Sequence, residues 1–465
     1  MEANSLAMIE RMNERGCKSW ITTLRTYFNS YLFYAIELVA ACLLVAFNME
    51  VMGAVFFVGL LAIMMLVCDD AMPMMLPFLL LCTFTTNCYN SFNTFIKFVP
   101  FAPLVVMCVI YHYVVYAKPV RCGKSFIGIA AVAIAICLGG IGTFTLEAYV
   151  KGIYYIFGLG LGMMIAYLFM KAEYAPWRRY DLRERFAMIM SLVGVLCIEM
   201  VLIGRLHIYI GVSDSIYQHG VSRNNICTVM MFAMPFPLYL SRKKPWWAII
   251  SVFMMAAMSI TASRSGVILG GAEFCVCCVY WIFCGENKLK RFYICLIVGV
   301  IGVLSLGWIV IDLLIDRFFE NDTVVLGDRY SMFFQAIDNF LENPLVGTGI
   351  LDDDITYGAY NKKGTMPWYH MMIPQIVGSM GLVGVLAYTF QSVGRFKMAL
   401  KNPDFWSLCL GISYLGILLM SQLNPGEFVP LPYELLTVVL FILQERRLEN
   451  ERFALWERTL GAGEY

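Results

Sequence analysis

Apolar runs of about 13 to 21 residues, separated by short polar or charged turns, recur along nearly the whole chain. They lie near 31–47, 49–67, 71–89, 98–117, 125–142, 152–170, 187–204, 224–240, 246–261, 265–284, 292–311, 371–391, 404–422 and 431–443. A bilayer core of ~30 Å takes about 20 apolar residues per helix. Hydrocarbon offers no partner to a free backbone N–H or C=O, so the runs must be helical. The pattern predicts an all-α polytopic membrane protein with about 14 transmembrane helices. The range is 12–14, because the final run is short and the first two are tightly spaced. The expected organisation is a cytoplasmic N-terminal segment (1–30), an integral membrane domain (31–443) and a cytoplasmic C-terminal tail (444–465).

The cations orient the helices. With the N-terminus inside, roughly 25 of the 34 Lys and Arg residues fall on inner segments, in clusters such as Arg11 to Arg25, Lys171 to Arg185 and Arg395 to Lys401. The excess of inner positive charge puts both termini in the cytoplasm. Residues 1–26 alternate charged and polar positions and lack the apolar stretch of a cleavable leader, so the first span is expected to act as the anchor. Nine cations remain on the outer side: Lys97, Lys151, Arg205, Arg223, Arg264, Arg317, Arg329, Lys362 and Lys363, joined there by His207, His219 and His370.

Composition agrees with a lipid setting: 60% of residues are hydrophobic and 14% charged, against about 25% charged in soluble domains. A net charge of +1 provides no bulk attraction to nucleic acid, and no such partner is expected. Most of the 16 cysteines, among them Cys42, Cys82, Cys137 and Cys197, sit in apolar runs as small hydrophobes. The Cys275, Cys277 and Cys278 group has an apolar span around it and no nearby His, so a metal site is not expected.

One outer connection is long. Residues 312–369 carry ten acidic residues, and connections of that length are usually functional or disordered. Within it, Tyr330, Phe333, Phe334, Ile337, Phe340 and Leu341 recur at helical spacing. They predict an amphipathic helix capped by Asp328, stopped near Asn343-Pro344, and holding Arg329 in its first turn. The Asn343-Pro344-Leu345-Val346-Gly347-Thr348-Gly349 turn follows, with Gly347 and Gly349 allowing close backbone approach. Trp368-Tyr369-His370 then opens the next span.

Two shorter outer features stand apart. Arg264 sits in the tight Thr261-Ala262-Ser263-Arg264-Ser265-Gly266 turn, where a guanidinium at membrane depth needs a partner or a pocket. Arg223-Asn224-Asn225 opens the eighth span in a comparable position. Any one of these arginines reads equally well as a snorkelling side chain. Several on one face suit a diphosphate, because a guanidinium stays protonated and binds phosphate oxygens bidentately. A histidine titrates near working pH and can take a proton from an attacking hydroxyl.

This ordered set resembles the O-antigen ligase and polymerase superfamily, over about residues 220 to 385. The set runs from Arg223-Asn224-Asn225 through the Arg264 turn, Arg329, the Gly347/Gly349 turn, His370 and Gln375 to the Gly381-Leu382-Val383-Gly384 run. The resemblance implies transfer of undecaprenyl-diphosphate-linked glycan at the outer face of a bacterial cytoplasmic membrane, without metal or cofactor. It implies catalytic roles for His370, Arg329 and Arg264. Substrate contacts are expected from Arg223, Asn224, Asn225, Gln375, Gly347 and Gly349.

The expected activity is polymerisation of capsular, exopolysaccharide or O-antigen repeat units. The partners would be a lipid-linked oligosaccharide, an acceptor glycan, the bilayer and polysaccharide-assembly proteins. The alternatives are an O-antigen ligase or protein O-oligosaccharyltransferase using the same donor, and a non-catalytic transporter or lipid-glycan flippase. A transporter would place its binding groups near mid-membrane, whereas the unusual cations here gather at one edge.

Overall fold

A computed structural model of the chain describes residues 18–87, 102–117, 120–141, 153, 155–173, 181–210, 223–261, 263–284, 286–319, 324–350, 369, 371–424 and 426–461. Helices and their connections account for all of these residues, and no strand occurs among them. The first half contains α1 (Lys18–Phe28), α2 (Tyr31–Ala46), α3 (Glu50–Val67), α4 (Met72–Asn87), α5 (Ala102–Tyr116), α6 (Lys124–Leu138), α7 (Met163–Glu173) and α8 (Leu182–Tyr209). Then come α9 (Arg223–Ala233), α10 (Pro235–Leu240), α11 (Ala248–Ile260), α12 (Arg264–Phe283) and α13 (Lys288–Phe319). The last are α14 (Val324–Glu342), α15 (Met372–Ala399), α16 (Phe405–Ser421) and α17 (Leu435–Gly461).

Among the described residues, four helices are long and apolar enough to cross a bilayer: Tyr155–Ala172, α8, α12 and α15. A fifth span arises if α1 and α2, bent by 62°, are taken together. Shorter apolar helices, including α5, α6 and α16, pack among them. The protein is an integral membrane protein. Its exterior matches that setting: Leu289, Phe292, Ile297, Ile301 and Leu304 of α13 are all exposed, as lipid-facing side chains are. The core centres on α8, which packs against α2, α4, α9, α10 and α11 and buries Phe186, Ile189, Leu196 and Cys197.

Several expected elements end elsewhere than their apolar runs suggest, each for a local reason. The 224–240 run is two helices separated at Met234, because Pro235 and Pro237 have no N–H to continue the ladder. Helix α13 continues past 311 to Phe319, since Ile311, Leu314, Ile315, Phe318 and Phe319 keep the i, i+3, i+4, i+7 stripe. Helix α14 begins at Val324, so Asp328 lies inside it and does not cap it. Leu326 extends the Tyr330–Phe333–Phe334 stripe upstream and carries the helix with it.

Helix α15 is broken. Gly381 adopts φ 57° and ψ −149°, which parts the amides of Leu382 and Val383 from the carbonyls of Gly378 and Ser379 that they would meet in a continuous helix. The turn after α14 satisfies all four groups. Pro344 O accepts from Leu382 N at 2.8 Å and Leu345 O from Val383 N at 3.1 Å. Thr348 N donates to Gly378 O at 2.9 Å and Gly349 N to Ser379 O at 2.8 Å. A buried polar backbone would otherwise be costly here.

Gly347, at φ 63°, leaves no room for a side chain, since a Cβ would lie 2.5 Å from Met380 N. A Cβ on Gly381 would lie 2.7 Å from Pro344 O. Gly381→Ala is therefore expected to lose about 1–3 kcal/mol from backbone conformation alone, with the clash in addition. A thermal melt read by size-exclusion fluorescence checks this, and an unchanged midpoint would contradict the docking.

Candidate functional site

The sequence order scatters the arginines, and helix ends reunite them. Helix α9 starts at Arg223 and α12 at Arg264. Ser263, the N-cap of α12, accepts from Gly266 N at 3.2 Å and donates its hydroxyl to Asn224 Oδ1 at 2.8 Å. The residue after Arg223 thus hydrogen-bonds the residue before Arg264, and two helix N-termini meet. Cys227 Sγ and Thr261 Oγ1 reinforce the contact at 3.4 Å. A third arginine joins from α8: Arg205 Nε donates at 2.5 Å to Ile260 O, the last carbonyl of α11. Arg205, Arg223 and Arg264 are all half-buried. Helix N-termini carry partial positive charge and unpaired N–H groups, so this end of the bundle is electropositive and suited to an anion.

The connection between α16 and α17 closes the arrangement. Asn424 Nδ2 donates to Asn225 Oδ1 at 3.2 Å, and the Tyr433 hydroxyl donates to Asn225 O at 3.0 Å. Two residues before Asn424, Gln422 Nε2 lies 3.6 Å from Met372 Sδ at the start of α15. The start of α15 therefore stands at the same end of the bundle as the α9 and α12 N-termini. His370 lies outside the described residues. Arg329 is on α14, which packs against α15, but its side chain is outside the described ones.

Gln375, Gly347 and Gly349 are engaged within the chain. Gln375 is fully buried; its Oε1 accepts from Tyr369 N at 2.9 Å and its Nε2 donates to Ser379 Oγ at 2.8 Å. Gly347 N donates to Asn343 O at 2.8 Å, and Gly349 N is used on α15 as described above. Tyr369 is held from the other side by Asn339, whose amide donates to its hydroxyl at 2.5 Å. Burial raises the Tyr369 phenol above its ordinary pKa, opposed by that Asn339 hydrogen bond. It is a poor base. The three residues hold the chain on either side of His370, and the arginine and asparagine side chains make up the polar end of the bundle.

Part of the chain is similar to the O-antigen ligase family. Residues 249–389 match that family, which supports membership of the O-antigen ligase and polymerase superfamily. No curated protein and no solved structure matches the chain. The matched region runs from α11 to the middle of α15 and contains Arg264, Arg329, Gly347, Gly349, His370 and Gln375. Arg205, Arg223, Asn224, Asn225 and Asn424 lie outside it; Arg205 and Asn224 are joined to it through Ile260 and Ser263. The match points to an O-antigen ligase-like function in a membrane setting.

Sequence patterning treated Arg205 only as one of nine outer cations and passed over Asn424 and Tyr433. The available signal was the short Gln422 to Val429 connection, unusually polar between two apolar runs. Arg395 differs more. Counted among the inner cations, it is buried, donating at 2.7 Å to Glu427 and 2.5 Å to Glu434. The Pro430-Leu431-Pro432 break, with extended backbone at Leu431, lets the connection fold back into the bundle and bring both carboxylates to it.

Proposed function

We propose that the protein is a polysaccharide repeat-unit polymerase of the bacterial cytoplasmic membrane, with its site on the extracytoplasmic side and both termini inside. The donor is an undecaprenyl-diphosphate-linked oligosaccharide, its lipid tail among the spans and its diphosphate held by Arg264, Arg223 and Arg329. The acceptor sugar hydroxyl attacks the anomeric carbon. The carbon–oxygen bond to the diphosphate breaks, and its electron pair leaves with undecaprenyl diphosphate. His370 takes the hydroxyl proton.

Guanidinium groups and helix N-termini neutralise the departing charge, which is where most of the rate is gained in such reactions. Positioning two large substrates at one membrane surface supplies much of the remainder. In this mechanism the residues alone balance the charge, and no metal takes part.

The observation that supports this reading is the meeting of the α9 and α12 N-termini through Asn224 and Ser263, the residues next to Arg223 and Arg264. The family's description as O-antigen ligase keeps a second reading in view, in which the same donor chemistry delivers a finished glycan to a lipid core. Purified protein supplied with lipid-linked repeat units and no other acceptor separates the two. A ladder of products with increasing repeat number is the expected result. Donor left unextended until a lipid core is added would contradict the polymerase assignment and favour the ligase.

A further inference from the structure

At the end of the bundle opposite the arginines, a cavity of about 660 Å³ opens between the start of α6, the second half of α15 and α17. That volume lies in the range of ligand sites. One flank is apolar and faces outward, where Ile127, Phe390 and Val393 are exposed. Gly394 lies beside them, and a Cβ there would meet nothing within 4 Å. The groove is open at that position.

The rim is basic. Lys124, Lys397 and Lys401 line it, and all three are exposed. The carboxylates in the same wall are committed elsewhere. Glu445 accepts from Tyr167, Lys171 and the Ser125 amide, and Glu449 accepts from Lys171 and Arg446. Arg395 is balanced by Glu427 and Glu434. The three lysines therefore leave the rim with excess positive charge beside an apolar groove.

We infer that this cavity binds an anionic phospholipid of the adjoining leaflet, with its phosphate at the lysine rim and an acyl chain along the Ile127, Phe390 and Val393 flank. Basic pockets between membrane helices suit such headgroups. A water-soluble phosphate would leave the apolar flank unused, and a zwitterionic lipid brings its own cation to a rim that already has three.

Native mass spectrometry of the full chain released from nanodiscs tests this, with phosphatidylglycerol, phosphatidylcholine and inorganic phosphate as probes. Phosphatidylglycerol is expected to be retained in preference to the other two. K124Q/K397Q/K401Q should weaken that retention roughly a hundred-fold, at about a factor of five per lysine. G394F, which fills the groove without changing charge, should also displace the lipid. The control K244Q/K288Q/K290Q removes as many charges from exposed positions outside the cavity and should retain it. Equal loss in both triple variants would overturn the inference by reducing it to general surface attraction. Full retention by G394F, or phosphate binding as tight as that of phosphatidylglycerol, would overturn the lipid assignment.

Discussion

Replacing Arg264 by alanine is expected to lower polymer formation by about 10²–10³-fold, the scale for removing one group that stabilises transition-state charge, while the protein still reaches the membrane. The side chain starts α12 beside the start of α9, so its loss removes charge from the place where two N-termini converge. The Ser263 cap of the helix is untouched by the substitution. Arg264→Lys should recover only part of the rate, since an ammonium keeps the charge but not the bidentate fork. Arg223→Ala and Arg329→Ala are expected to act in the same direction. The measurement is product ladder length per unit of folded protein. Normal polymer length from a well-expressed Arg264→Ala or Arg329→Ala protein would contradict the assignment.

The largest effect on stability is expected at Arg395. Its guanidinium links α15 to the α16–α17 connection and to the turn that starts α17, through Glu427 and Glu434, and it lies near the rings of Tyr414 and Phe441. Arg395 and Glu427 are each at most 2% exposed. Arg395→Leu strands two carboxylates in a dry interior, and breaking a buried pair from one side costs about 3–5 kcal/mol. That is a large part of the stability of most proteins. The variant should fail to give a monodisperse peak on size-exclusion chromatography. R395L/E427Q/E434Q, with no orphaned charge, should regain most of the folded yield, because a buried ion pair often contributes little over neutral groups. Equal losses in the single and triple variants would show that packing, and not charge, governs this position.

The contrast between these two arginines shows what was legible in the sequence. Arg264 could be singled out because a charge in a tight turn between apolar runs is conspicuous, and its local neighbour Ser263 is an ordinary helix-start signal. Its meeting with Asn224 joins positions 39 residues apart, which no periodicity reports. Arg395 sits among Lys397 and Lys401 and reads as one more cytoplasmic cation. Only the inward fold of the 422–434 connection, which depends on Pro430 and Pro432, shows otherwise.

The glycine turn taught a similar lesson. Gly347 and Gly349 announced close approach, and the approach is to the broken backbone of α15, whose break at Gly381 leaves hydropathy unchanged. The helical character of the chain was plain from its apolar runs. The ends of α13 and α14 were less so, because charged residues such as Asp312 and Asp328 sit on helices whose apolar stripe continues past them.

The central claim is that arginines at the starts of α9 and α12 form one receptor for the donor's diphosphate. A cryo-electron microscopy map of the protein with undecaprenyl diphosphate bound tests it most directly. The account predicts diphosphate density between the two helix starts, in contact with both Arg223 and Arg264. Density at another place, or guanidinium groups turned away from each other around an empty helix junction, would contradict it.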